Sequence, residues 1–160
     1  MNAPRRADKS AEGKMAASRL YDQDFYAWAN EQAALLRAGK LGEADIEHIA
    51  EEIESLGKTE KRELASRLKV LILHLLKWRH QPFKRTPSWE VSIKIQRHEL
   101  VEHLVDNPSL KPVIASVLQK VYPDAVLGAV LETGFPESIF PETCPWTFEE
   151  MMAEDFWPEG

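Results

Sequence analysis

Five histidines, and the carboxylates within helical reach of them, are the first residues of this sequence that could do chemistry. Neutral imidazole ligates zinc, copper, iron or nickel, and glutamate completes mixed sites between the helices of a bundle. His74 falls on a leucine-rich stretch, and His103 lies at the edge of an apolar stripe one turn after Glu99. With Glu52 from a helix nearer the N-terminus, these residues make a candidate metal site. The paired Glu-x-x-His motifs of two-iron bundles are missing. His98-Glu99 is followed by His103, one residue too far along to complete HExxH. The competing expectation is a core His74 satisfied by a hydrogen bond, with no cofactor. His48 and His98 fall opposite the apolar stripes of their helices and are expected in solvent.

A second constellation is basic and aromatic. Lys77, Arg79, Lys84 and Arg85 alternate with Trp78, Phe83 and Trp89, and Lys94 and Arg97 follow. Cations at a helix start, interleaved with rings, can hold a phosphate backbone and stack a base. The same residues have a structural use: Trp78 and Trp89 belong to apolar stripes, and Lys77 and Arg79 suit the carbonyl end of a helix. Nucleic acid is therefore the lesser expectation, and a protein partner or self-association the greater.

The last 25 residues hold seven acidic side chains, four prolines and no basic residue. Trp146, Phe148, Phe156 and Trp157 each forgo about 2 kcal/mol when left in water, so this arm must dock, on its own chain or on another. Docking over the helix ends, with Glu149, Glu150, Glu154 and Asp155 answering the basic turn, is the expected arrangement. A partner-binding arm is the alternative. Cys144 lies between Thr143 and Pro145 with no histidine nearer in sequence than His103, so nothing marks it as a nucleophile.

These residues must be positioned by helices. In Arg62–His80, Leu64, Leu68, Leu71, Ile72, Leu75 and Trp78 recur at spacings of three and four, and Val70, Leu73 and Leu76 fill the other faces. A helix apolar all round is central to its domain. Upstream, Asp22 and Asp24 are candidate N-caps for a helix with Phe25, Trp28, Ala29, Gln32, Leu35 and Leu36 inward, and Gly39 supplies a left-handed stop. A second helix, Glu43 to Leu56, should turn Ile46, Ile49, Ala50, Ile53 and Leu56 inward. Gly57 is expected to break it from the central helix, because an interior glycine costs about 1 kcal/mol relative to alanine. Downstream, Ser88 is expected to cap a fourth helix carrying Trp89, Ile93, Leu100 and Leu104. Ser109 should cap a fifth that ends at Pro123, where another begins and runs to Gly134. Residues 1–19 have five basic and two acidic residues, no aromatic and no apolar stripe. They are expected to be a disordered tail.

Taken in order, DFYAW (Asp24 to Trp28), EEIESLG (Glu51 to Gly57), HLLKW (His74 to Trp78), SW (Ser88-Trp89), PSL (Pro108 to Leu110) and ETGFPESIFPETCPWT (Glu132 to Thr147) resemble the bacterial family known as domain of unknown function 29. The resemblance covers Leu20 to Pro158. It implies a small helical bundle of bacterial origin and brings no activity and no catalytic residues with it.

Composition sets the remaining bounds. A net charge of −6 disfavours wholesale binding to nucleic acid or anionic membranes, and one cysteine excludes a disulfide framework and a multi-cysteine zinc site. The longest uninterrupted apolar run, Phe25 to Ala29, is too short to span a bilayer, and the first residues lack the apolar core of a secretory signal. Glycine-rich phosphate loops and Ser/His/Asp signatures are absent. The sequence therefore describes a cytoplasmic, all-α, single-domain helical bundle of five to six helices over 20–134, with an irregular acidic C-terminal arm, 135–160, docked as part of that domain. Its expected role is a non-catalytic interaction or accessory module. A nucleic-acid-linked regulator of antitoxin type, using Lys77 to Arg97, is the alternative, and a metal-dependent enzyme the second alternative.

Overall fold

The computed structural model describes residues 7–159. Six α-helices account for most of them: α1 (Ala7–Gln23), α2 (Phe25–Arg37), α3 (Ile46–His80), α4 (Pro87–Asp106), α5 (Ile114–Thr133) and the short α6 (Phe148–Met152). No strand occurs among the described residues. The all-α expectation holds. The chain divides into two compact units, Met1–Lys58 and Thr59–Gly160, where the sequence reading has one domain from residue 20.

In the first unit, α1 occupies much of the stretch expected to be a tail; the part of that expectation covering residues 1–6 lies outside the described residues. Ala, Lys, Glu, Met and Arg are good helix formers, and the C-terminal end of α1 is anchored by buried Ala17 and by Tyr21, which packs edge-on against Phe25 and Trp28. Asp24 caps α2 by accepting from Ala27 N at 3.0 Å. Gly39, at φ 70°, takes the left-handed conformation that lets Lys40 N reach Leu35 O and close the helix. Trp28 and Gln32 of α2 are buried, whereas Phe25 and Leu36, expected inward, are exposed.

The expected break at Gly57 does not occur: α3 runs through it for 35 residues. Gly57 has no positive φ. A break would leave unpaired amides and carbonyls at two new helix ends, which outweighs the modest cost of one interior glycine.

In the second unit the leucine-rich part of α3 is the hub. Leu64, Leu68, Leu71, Ile72, Leu75 and Leu76 are all 0% exposed, each contributing about 1.5–3 kcal/mol of burial. Ile93, Leu100 and Leu104 of α4 and Val117, Val121, Ala125, Val126 and Ala129 of α5 belong to the same core. α5 approaches closely at Gly128, where a Cβ would lie 2.5 Å from Leu73 Cδ1.

Three boundaries differ from the sequence reading. Thr86, not Ser88, caps α4, because Pro87 fills the first helical position where its missing N–H costs nothing. A 3₁₀ turn, Pro108–Val113, precedes α5, so Ser109 caps no α-helix. α5 continues through Pro123 to Gly134, held by burial of Val121 and Tyr122 before the proline and of Ala125 and Val126 after it. By length and composition Pro108–Thr133 could cross a membrane, which a count of uninterrupted apolar residues misses. Here Val117, Val121, Ala125, Val126 and Ala129 of that segment line the core, while Leu127 and Leu131 are exposed.

Candidate functional site

The second unit carries most of the residues singled out for chemistry, and α4 positions the most constrained of them. Arg97 sits between Ile93 and Leu100 on the buried stripe and is only 6% exposed. Its Nε donates to Met151 O at 2.7 Å and its Nη2 to Phe156 O at 2.6 Å, with Glu154 O at 3.5 Å from Nη1. The guanidinium also faces the Trp157 ring at 5.1 Å. Burial pulls its pKa below the ordinary arginine value, partly opposed by Asp155 and Glu154. Arginine stays charged under such a shift, so the arm is held by a buried cation on main-chain oxygens. The expected pairing of the arm's carboxylates with the basic turn is replaced by this arrangement.

Arg85 acts similarly, donating from Nε to Trp78 O at 2.8 Å and from Nη2 to Pro158 O at 3.4 Å while lying 4.9 Å from the Trp78 ring. Lys77 is buried, 2.5 Å from Glu132 and 4.3 Å from the Trp89 ring. Lys94 pairs with Glu90 across one helical turn at 2.5 Å. The side chains of Arg79 and Lys84 make no hydrogen bond or ion pair among the described residues. The six cations expected to form one surface thus divide: three brace the interior of the unit, Lys94 pairs locally, Arg79 is half-buried and Lys84 is exposed.

Trp146, Phe148, Phe156 and Trp157 pack against the core around fully buried Met151. Trp157 lies 4.7 Å from Trp78, and Trp146 meets Phe156 edge-on. Thr147 and Glu150 form a reciprocal capping box that starts α6. Half-buried Cys144 donates to Trp146 O, and burial raises its pKa, the wrong direction for a nucleophile.

The candidate metal ligands are occupied elsewhere. His74 Nδ1 donates to Val70 O at 2.8 Å, one turn back on its own helix. His103 Nε2 meets Glu60 O at 2.9 Å, and Glu99 pairs with Arg67 at 3.3 Å. Glu52, in the first unit, accepts from the Tyr21 hydroxyl at 2.5 Å. Among the described residues no group of three or more His, Cys, Asp or Glu is placed to hold a metal ion.

The first unit contains an arrangement that the sequence reading misses. Asp45 Oδ2 accepts from Trp28 Nε1 at 3.2 Å and from His48 Nδ1 at 2.7 Å. The Asp45 backbone N–H donates to Gln32 Oε1 at 2.7 Å, while Gln32 Nε2 is buried with no partner among the described residues. Tyr21 stacks on His48 with centroids 4.0 Å apart. Asp45 raises the His48 pKa, and the hydrogen bond to Glu52 pushes Tyr21 up to about 12. His48, expected in solvent, is thus half-buried. Asp45, His48 and Glu52 share one helical face, a spacing that could have revealed them. Asp45 favours the His48 imidazolium and Glu52 keeps the Tyr21 phenol protonated, so the arrangement forms a polar latch joining α1 and α2 to the start of α3.

Burying this polar face leaves the apolar one outward. Ile46, Ile53 and Leu56, expected in the core, are 48%, 64% and 68% exposed. The physical reason is the aromatic pair Tyr21 and Trp28: their polar ends need Glu52 and Asp45, so α1 and α2 cover the Asp45–His48–Glu52 side of α3.

Comparison with curated proteins and with solved structures finds no match in either. A family model does match, over residues 20–157, which takes in nearly all of the second unit and the first from Leu20 onward. The chain belongs to the family described as Domain of unknown function DUF29.

Proposed function

We propose that this chain is a small cytoplasmic interaction module without chemistry of its own, and that it docks a partner through the exposed apolar face at the start of α3. One observation carries the reading: the first unit covers the polar side of an amphipathic helix and leaves Ile46, Ile53 and Leu56 in water. Taking those three side chains out of water is worth several kcal/mol, about 25 cal/mol per Å² of apolar surface. The internal use of Arg85, Arg97 and Lys77 supports the same reading, because it takes three of the cations away from a polyanion-binding surface.

The test is association. Sedimentation of full-length protein across a wide concentration range, together with affinity capture from cells that express it naturally, is compared with Ile53→Asp and Leu56→Asp. The reading expects a complex or oligomer that both substitutions abolish while helical circular dichroism is unchanged. A monomer in every case, with the same proteins retained by wild type and variants, overturns it.

A further inference from the structure

Resting on the interaction reading, we infer that the occupant of this face is a basic amphipathic helix of another protein, rather than a second copy of this chain. The spacing names a helix. Ile46, Ile49, Ile53 and Leu56 follow a three-four-three pattern, the seam that accepts a partner helix by knobs-into-holes packing. With Ala50 and Gly57 they fall within about 120° of the helix circumference. Gly57 adds a flat place: a Cβ there would meet nothing within 4 Å, so a partner backbone can come close.

Charge names the kind of helix. Between Glu43 and Lys58 there are six carboxylates and one lysine. Glu47, Glu51 and Glu54 are exposed, and Glu47 and Glu54 border the seam on the side away from the latch. A second copy would bring the same carboxylates against this rim, and like charges across an interface are penalised. Nucleic acid and anionic lipid meet the same repulsion. Lysine or arginine flanking an apolar stripe meets attraction instead, which also speeds encounter.

Two fluorescently labelled helical peptides test this. They share leucines at three-four spacing and differ only in flanking residues, all lysine in one and all glutamate in the other. Each is titrated with the full chain by anisotropy at two salt concentrations. The lysine peptide should bind saturably and more weakly at high salt, and the glutamate peptide should not. Glu47→Lys/Glu54→Lys should weaken the lysine peptide by about tenfold or more and let the glutamate peptide bind. Ile53→Asp should abolish both interactions, with circular dichroism confirming the fold.

Equal binding of the two peptides, or none by the lysine peptide, overturns the inference. If the lysine peptide fails while sedimentation shows a self-association that Ile53→Asp abolishes, the face belongs to a second copy and the interaction reading survives. If association fails as well, both fall.

Discussion

Arg97→Ala removes a cation that ties the last stretch of the second unit to α4. The loss can be worked from the contacts. A hydrogen bond to a charged group contributes about 1.5–3 kcal/mol net. Two of the three are short, at 2.7 and 2.6 Å, and the one at 3.5 Å is neglected. That gives about 3–6 kcal/mol, and the lower half is expected because the released carbonyls can be wetted if the arm loosens. Small domains hold about 5–15 kcal/mol in total, so the variant should be marginal. Arg97→Lys keeps the charge but not the planar fork, and should recover less than about half of the loss. Urea unfolding followed by circular dichroism gives the free energy. Hydrogen exchange at Phe148–Trp157 shows whether the arm opens before the rest. A loss in Arg97→Ala below about 1 kcal/mol, the range of an exposed ion pair, would refute the argument that this cation fastens the arm.

Three further outcomes are expected. Gly57→Ala should raise stability by about 0.5–1 kcal/mol in thermal or urea unfolding, since the site is helical, uncrowded and without positive φ. Ile53→Asp and Leu56→Asp should change stability by no more than about 0.5 kcal/mol, as for surface positions, while abolishing association; a large destabilisation would mean that these side chains are buried after all. The two units should respond oppositely to pH. His48 has a raised pKa through Asp45, so its contribution is complete below about 6.5, the unfolded value, and fades as pH rises through the folded one. His80, edge-on to Phe140, has a pKa lowered by burial and by Arg79, so its contribution is present above about 6.5 and fades on acidification. Hydrogen exchange at pH 5.5 and 8 should show α2 better protected at the lower value and the end of α3 at the higher; parallel trends would contradict the assignment.

The hub of the second unit is legible in the sequence because leucine and isoleucine occupy every face of one helix, and only a core satisfies that pattern. Helix ends are less legible. Gly57 and Pro123 are local stop signals that longer-range burial and hydrogen-bond continuity override. Arg97 was readable in principle, as a cation at a stripe position between Ile93 and Leu100, but the basic residues around it invite a reading as surface. The first unit defeats the pattern altogether. Apolar residues at three-four spacing normally mark the inward side of a helix. The one local hint is the shared face of Asp45, His48 and Glu52; that Tyr21 and Trp28, more than 16 residues upstream of Asp45, claim that side is a long-range fact.

The grip of Arg97 on main-chain oxygens has a consequence for how this protein can vary. A carbonyl is offered by every amino acid, so the clasp is blind to which side chains stand at Met151, Glu154 and Phe156; it reads the path of the chain rather than its letters. Positions 154 and 155, whose side chains are exposed, can therefore vary in shape without loosening the arm, provided that they keep the negative charge that favours the Arg97 cation. The tolerance belongs to the exposed positions of the strap, and the intolerance to its core-facing side chains and to the guanidinium groups of Arg97 and Arg85 that fasten it.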